Sequence, residues 1–170
     1  MRHVTSALCF LAFANACSGI PISLPAPSGG TATAPADENP VTVAADVVRY
    51  TNDARTRNGL AAFRTSPKLM EAARIHAQQM ASAQRSDHTI SGAQYPTMQS
   101  RLQEVEYVYM QAAENVAWNQ SSAQAVVTSW MNSSGHRANI LDPGLTEIGA
   151  AMARSSRGEP YWIQVFGRPR

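Results

Sequence analysis

The chain contains only two cysteines, Cys9 and Cys17, and both precede a proline-rich stretch. Whatever folds downstream has no disulfide to constrain it and must be held by its core alone, which small exported domains seldom manage without a sizeable apolar fraction. The composition supplies that fraction: 44% of the 170 residues are apolar, enough for one core of about domain size. The cysteine distribution also removes Cys-type zinc sites and cysteine nucleophiles from the folded part. Charge excludes another class. Charged residues are 15% of the chain and the formal charge is +2, with one lysine, Lys68, and scattered arginines. No basic stripe exists for nucleic acid to grip.

The first residues carry an export pattern. Met1-Arg2-His3 is a short basic start, Val4 to Ala14 is mostly apolar, and Ala14-Asn15-Ala16 offers small residues at a cleavage site. The apolar run is shorter than the roughly 20 residues of a membrane-spanning helix, so residues 1–16 are expected to be a removable signal peptide. Cys17 stands where a lipoprotein carries its lipidated cysteine. Lipid anchoring at Cys17 and free secretion are therefore the two expected fates. Residues 17–40 hold Pro21, Pro25, Pro27, Pro35 and Pro40 among Ser, Gly, Thr and Ala, the composition of an extended linker.

From residue 41 onward, hydropathy gains a period. Val43, Val47, Tyr50 and Ala54 recur at helical spacing, predicting an amphipathic helix over Thr42 to Asn58 with Gly59 as its stop. Leu60 to Arg64 reads as a strand or extended connector. Ser66-Pro67 starts a second helix reaching Gln84, with Ser66 suited to cap it. Arg85 to Gly92 is a polar loop. Tyr95-Pro96 opens a short helix through Met98, Leu102 and Val105, and β-prone Tyr107 to Met110 follows. Ser121 or Ser122 caps a helix burying Ala125, Val126, Ser129 and Trp130. After the Asp142-Pro143-Gly144 turn, Ile148, Ala150 and Met152 alternate as one strand and Tyr161 to Phe166 as another, making a hairpin that needs more strands or helices to be stable. Helices followed by such a hairpin predict an α+β fold with helices on both sides of a small antiparallel sheet.

Four residues stand out chemically. His136 lies in Ser129 to Gly149, SWMNSSGHRANILDPGLTEIG, where a helix is expected to end and a turn to present the imidazole before a second short helix. It is either a cap or a site residue. Glu114 sits in the apolar run Ala112-Ala113-Glu114-Asn115-Val116-Ala117-Trp118, where an acid must be paired or hydrogen bonded; it serves backbone amides or a ligand. His88 occupies the polar loop, a place where binding groups concentrate. His76 falls on the apolar face of the second helix and is read as a core histidine.

WMNSSGHRANIL, AENVAW, the Ser86-Asp87-His88 loop and the closing TEIGAAMA and YWIQVFG strands together resemble the bacterial branch of the CAP superfamily, the cysteine-rich secretory, antigen 5 and pathogenesis-related 1 proteins. The resemblance spans Val43 to Gly167. It implies an α-β-α sandwich over residues 41–170 and a cleft in which His88, Glu114 and His136 meet. Two imidazoles and a carboxylate can hold zinc or another divalent ion; without metal they make a pH-sensitive, anion-tolerant pocket. The second cleft glutamate of eukaryotic members has no counterpart in Trp130 to Ser134. Asn132 or Ser133 is the expected weaker substitute, and Glu147 on the following strand another. Asn115, Arg137 and Asn139 are read as scaffold.

Two functions follow. One is a monomeric, non-catalytic extracytoplasmic binding module taking a metal ion, a small molecule, a lipid or an envelope ligand, with no nucleic acid. The other is a metal-assisted hydrolase with His88 and His136 as ligands and Glu114 as ligand or base. The chain lacks HExxH, and a serine nucleophile at Ser133 or Ser134 is the weaker version of the hydrolase.

Overall fold

The computed structural model describes residues 39–170. The signal peptide, Cys17 and nearly all of the linker lie outside the described residues. The first helix, α1, runs Pro40–Arg57, two residues ahead of its expected start. Pro40 takes the first-turn position that proline suits, and the Asn39 side chain accepts from the Val41 amide at 3.0 Å. Strand β1 is only Arg64–Thr65.

Helix α2 spans Pro67–Ala83 and ends on Gln84 in the left-handed region. Ser66 precedes it as expected but makes no side-chain cap bond; its backbone amide is spent on Ile148 O at 3.0 Å. Helix α3, Met98–Glu104, starts later than Tyr95-Pro96 suggests, because Thr97 and Ser100 form a reciprocal capping box. Strand β2 covers Tyr109–Trp118, and α4, Ala123–Asn132, is capped by Ser122. Helix α5, Ser134–Ile140, follows after one residue. Strands β3, Glu147–Arg154, and β4, Pro160–Pro169, close the chain.

The sheet order is β1-β3-β4-β2, with β1 parallel to β3 and the other pairs antiparallel. The expected hairpin is present, and β2 and β1 give it the further strands it needs. Strand alternation then divides the core. Trp162 and Phe166 of β4 join Ile148, Val47 and Trp130 beneath α1 and α4, whereas Tyr161, Ile163 and Val165 join Leu69, Met80 and Leu102 beneath α2 and α3. These are the three layers of an α-β-α sandwich. Gly149 sets how closely α2 approaches, since a Cβ there would overlap the backbone of Leu69 and Met70.

Candidate functional site: a histidine–glutamate cleft across an edge strand

Strand β2 is an edge of the sheet, and two neighbouring residues on it face opposite layers. Glu114 pairs in register with Val165 and turns toward α2 and α3; Asn115 pairs with Gln164 and turns toward α1 and α5. The dipeptide thus reaches both segments that carry cleft histidines.

On the first side, burial of Glu114 demands a partner, and α3 supplies it. Arg101 is 1% exposed, and its Nη2 lies 3.2 and 3.0 Å from the two Glu114 oxygens. The same guanidinium donates to the carbonyls of His88, Tyr95 and Pro96 at 3.2, 3.3 and 3.1 Å. A planar fork of five donors fits this task in a way an ammonium does not. Burial pulls the Arg101 pKa below its usual value, with Glu114 opposing the shift.

Arg101 thereby fixes the loop that carries His88, and His76 fixes it again one residue earlier. The fully buried His76 ring places Nε2 2.9 Å from Asp87 O, consistent with the core reading of that residue. Burial, followed by Arg101, lowers its pKa. The His88 ring then meets Glu114, with Nδ1 3.0 Å from Oε1 and 56% of the side chain exposed. The carboxylate oxygen can only accept here, so Nδ1 carries the proton, and neutral His88 keeps a lone pair on Nε2. The Glu114 hydrogen bond raises the His88 pKa, against partial desolvation.

On the other side, Asn115 is fully buried and donates to His136 O at 3.1 Å and Gln164 Oε1 at 3.3 Å. Asn139 Nδ2 reaches Asn115 Oδ1 at 2.9 Å and Glu114 O at 3.4 Å. The amide chain continues through Gln164 to Thr51 on α1. Asn115 and Asn139 therefore tie α5 to β2. Asn115 does so from within β2.

His136 is the third residue of α5, not a turn residue, because Ser133 alone both ends α4 and begins α5. Partial burial, then repulsion from His88, lowers its pKa. Ser133 borders a groove on the outer face of α4 with Ser122, Gln124 and Thr128. Glu147 takes other partners: Tyr107 Oη donates to it at 2.9 Å, and Arg64 pairs with it at 2.9 Å. It sits on β3, two strands from Glu114, or about 10 Å across the sheet.

The structure joins the His88 and Glu114 side chains by a hydrogen bond, whereas His136 is tied to β2 through its backbone carbonyl and Asn115. Arg101 and His88 already engage the Glu114 oxygens. Among the described residues, no group of three or more His, Cys, Asp or Glu side chains is placed to hold a metal ion. Three-ligand coordination by His88, Glu114 and His136 does not fit this arrangement, because the buried carboxylate has taken a fixed guanidinium as its cation. Arg101 is the residue that sequence reading missed. Its signal was an arginine beside Leu102 on a short helix with a buried face, in a chain that buries an acid elsewhere.

The fold and site define an α-β-α sandwich domain whose edge strand carries a buried glutamate, Glu114, hydrogen bonded to His88 and Arg101. The model of the cysteine-rich secretory protein family (CAP) matches residues 48–166, and the chain belongs to that family. It is 36% identical over 123 residues to the uncharacterised protein YkwD of Bacillus subtilis (strain 168), covering 71% of this chain and 45% of YkwD. It is 30% identical over 120 residues to the uncharacterised membrane protein YlbC of the same strain, covering 71% of this chain and 33% of YlbC. Among solved structures, an extracellular SCP-domain protein of Bacillus anthracis str. Ames superposes with a TM-score of 0.67 at 25% identity, over 76% of this chain and 41% of that one. The chain spans less than half the length of each of these relatives.

Proposed function

We propose that the protein is a non-catalytic binding module working outside the cytoplasm, with the His88 and His136 imidazoles as its ligand-facing groups. The observation that carries this reading is how Glu114 is used. Its carboxylate is bonded to Arg101 and to His88 Nδ1, which suits it to orienting an imidazole rather than to acting on a substrate. The Glu114 hydrogen bond raises the His88 pKa and partial burial lowers that of His136, so the two imidazoles differ in how readily they take a proton, and each offers ring nitrogens to a polar small molecule or lipid headgroup. The extracellular and membrane descriptions of the B. anthracis and YlbC relatives support a place at the envelope, reached by the export pattern with or without a lipid on Cys17. We take the module to act as a monomer.

A divalent ion such as zinc is a second reading. It would rest on His88 and His136 alone, with Glu114 behind His88 as outer carboxylates stand behind ligating imidazoles. The hydrolase reading draws on the same dyad, since Nδ1–H held by a carboxylate leaves Nε2 as a base. Calorimetry with zinc and with envelope lipid extracts, alongside casein hydrolysis, separates the three. The expected result is retention of an extract component that is lost in both His88→Ala and His136→Ala, with no casein turnover. Zinc-dependent cleavage abolished by either substitution would overturn the binding-module reading.

A further inference from the structure

Depressions also lie away from His88, Glu114 and His136, along the outer face of α2. On α2, Leu69, Ala72, Ala73, Ala77 and Met80 form the core stripe, and the outward stripe runs Glu71, Arg74, Ile75, Gln78, Ser82. Three depressions lie along that outward stripe. The central one, of about 680 Å³, is walled by the loop from Ile90 to Tyr95 and by Glu104. A second, of about 370 Å³, adds Pro67, Lys68 and Val105 and shares Glu71, Ile75 and Glu104 with the first. A third, of about 410 Å³, adds residues 153–156 and shares Gln78 and Ser82. Shared walls make them one trough along the 17 residues of α2, about 25 Å at 1.5 Å per residue.

Its chemistry narrows what fits. The charges on its walls are already engaged. Arg74 holds both Glu71 oxygens at 2.7 and 2.6 Å and donates to Gln78 at 2.8 Å. Lys68 donates to Glu106 O at 2.7 Å, and Arg154 to Gly158 O at 2.9 Å. Glu104 takes the Tyr95 hydroxyl, which Gln94 also approaches at 3.0 Å. The remaining groups are amides and hydroxyls from Gln78, Gln94, Ser82, Ser91 and Ser156, around the half-buried ring of Tyr95. A polyanion would meet Glu71 and Glu104, and a polycation Lys68, Arg74 and Arg154. An extended peptide would find no strand edge to pair with, since a helix whose backbone is internally bonded forms the floor. An acyl chain would find apolar surface from Ile75, Ile90, Ala93 and Val105, but interrupted along its length by the Glu71–Arg74 ion pair and by Glu104.

We propose that this trough is a second ligand site, separate from the histidine cleft, and that it takes an uncharged, hydroxyl-rich linear strand: a neutral oligosaccharide seated against Tyr95 and hydrogen bonded by the surrounding amides and hydroxyls. An aromatic face with a polar rim suits a sugar ring, whose faces are apolar and whose edge is all hydroxyl.

The test is an amide-resolved NMR titration of the full chain with the β-1,4-linked tetramer of N-acetylglucosamine and with cellotetraose, using tetragalacturonate and tetralysine as charged controls. Shifts are expected at Gln78, Ser82, Ser91 and Gln94 with at least one neutral tetramer, and no saturable shifts with the charged ones. Tyr95→Ala should weaken binding about tenfold, Tyr95→Phe should keep it, and Gln78→Ala, on an exposed helix face, should weaken it without changing the melting curve. No shifts at millimolar tetrasaccharide, shifts confined to His88, Glu114 and His136, or tighter binding of a charged tetramer would each overturn the proposal.

Discussion

Replacing Arg101 with methionine would strip the buried Glu114 carboxylate of its cation. The stem of the side chain is retained, but five hydrogen bonds are lost, two to Glu114 and three to the carbonyls of His88, Tyr95 and Pro96. The Glu114 side chain, 5% exposed, is left without its cation. Removing one partner of a buried ion pair costs about 3–5 kcal/mol, and a domain of this size has about 7–20 kcal/mol in all. The expected loss lowers the melting temperature by roughly 10–15 °C. Urea unfolding followed by tryptophan fluorescence and circular dichroism measures it. Adding Glu114→Leu to Arg101→Met removes the orphaned charge and should restore about half of the loss or more, because apolar replacement of a buried pair is often close to neutral. A single substitution costing under about 1 kcal/mol, or a double substitution no better than the single, would refute the claim that Arg101 exists to neutralise Glu114.

The histidines predict opposite pH behaviour. His88 should titrate above 6.5 in NMR and move toward 6.5 in Glu114→Gln, whereas His76 and His136 should titrate below 6.5. The stabilisation from His88 is fully present below its unfolded value of 6.5 and lost as pH rises through its higher folded value. The two lowered histidines weaken the fold as pH falls below 6.5, because the unfolded chain then binds more protons. Urea midpoints across pH 5 to 8 for wild type, His88→Gln and His136→Gln would show the two signs, and matching profiles for both variants would contradict them. At Gly149, alanine should destabilise by several times the roughly 1 kcal/mol typical of a point substitution, since its Cβ would meet the backbone of α2 rather than a movable side chain. A normal melting curve for Gly149→Ala would show that α2 can shift away freely.

The helices and the closing hairpin were legible in the sequence because their signals are local: apolar residues at a period of 3.6 or 2, Pro67 and Ser122 at helix starts, and Asp142-Pro143-Gly144 at a turn. The errors were local as well. The capping box of Thr97 and Ser100 moved the start of α3 past Tyr95-Pro96. A run of Ser133-Ser134-Gly135 resembles a turn, yet one residue sufficed to change helix direction, placing His136 inside α5. His76 was readable as core from helix spacing alone.

The sequence by itself determined an α+β chain, two helix-facing stripes of apolar residues, and the need for some partner at Glu114, because burying an acid is costly wherever the chain places it. Which partner it found was decided only by tertiary structure. Arg101 approaches from α3, thirteen residues earlier, and the alternation of an edge strand sends Glu114 to one layer and Asn115 to the other. Glu147, also a glutamate, was instead carried to Tyr107 and Arg64 by the strand order β1-β3-β4-β2. Periodicity reports which face of an element is buried. It does not report which other element lies against that face, and the chemistry of a cleft depends on the second fact.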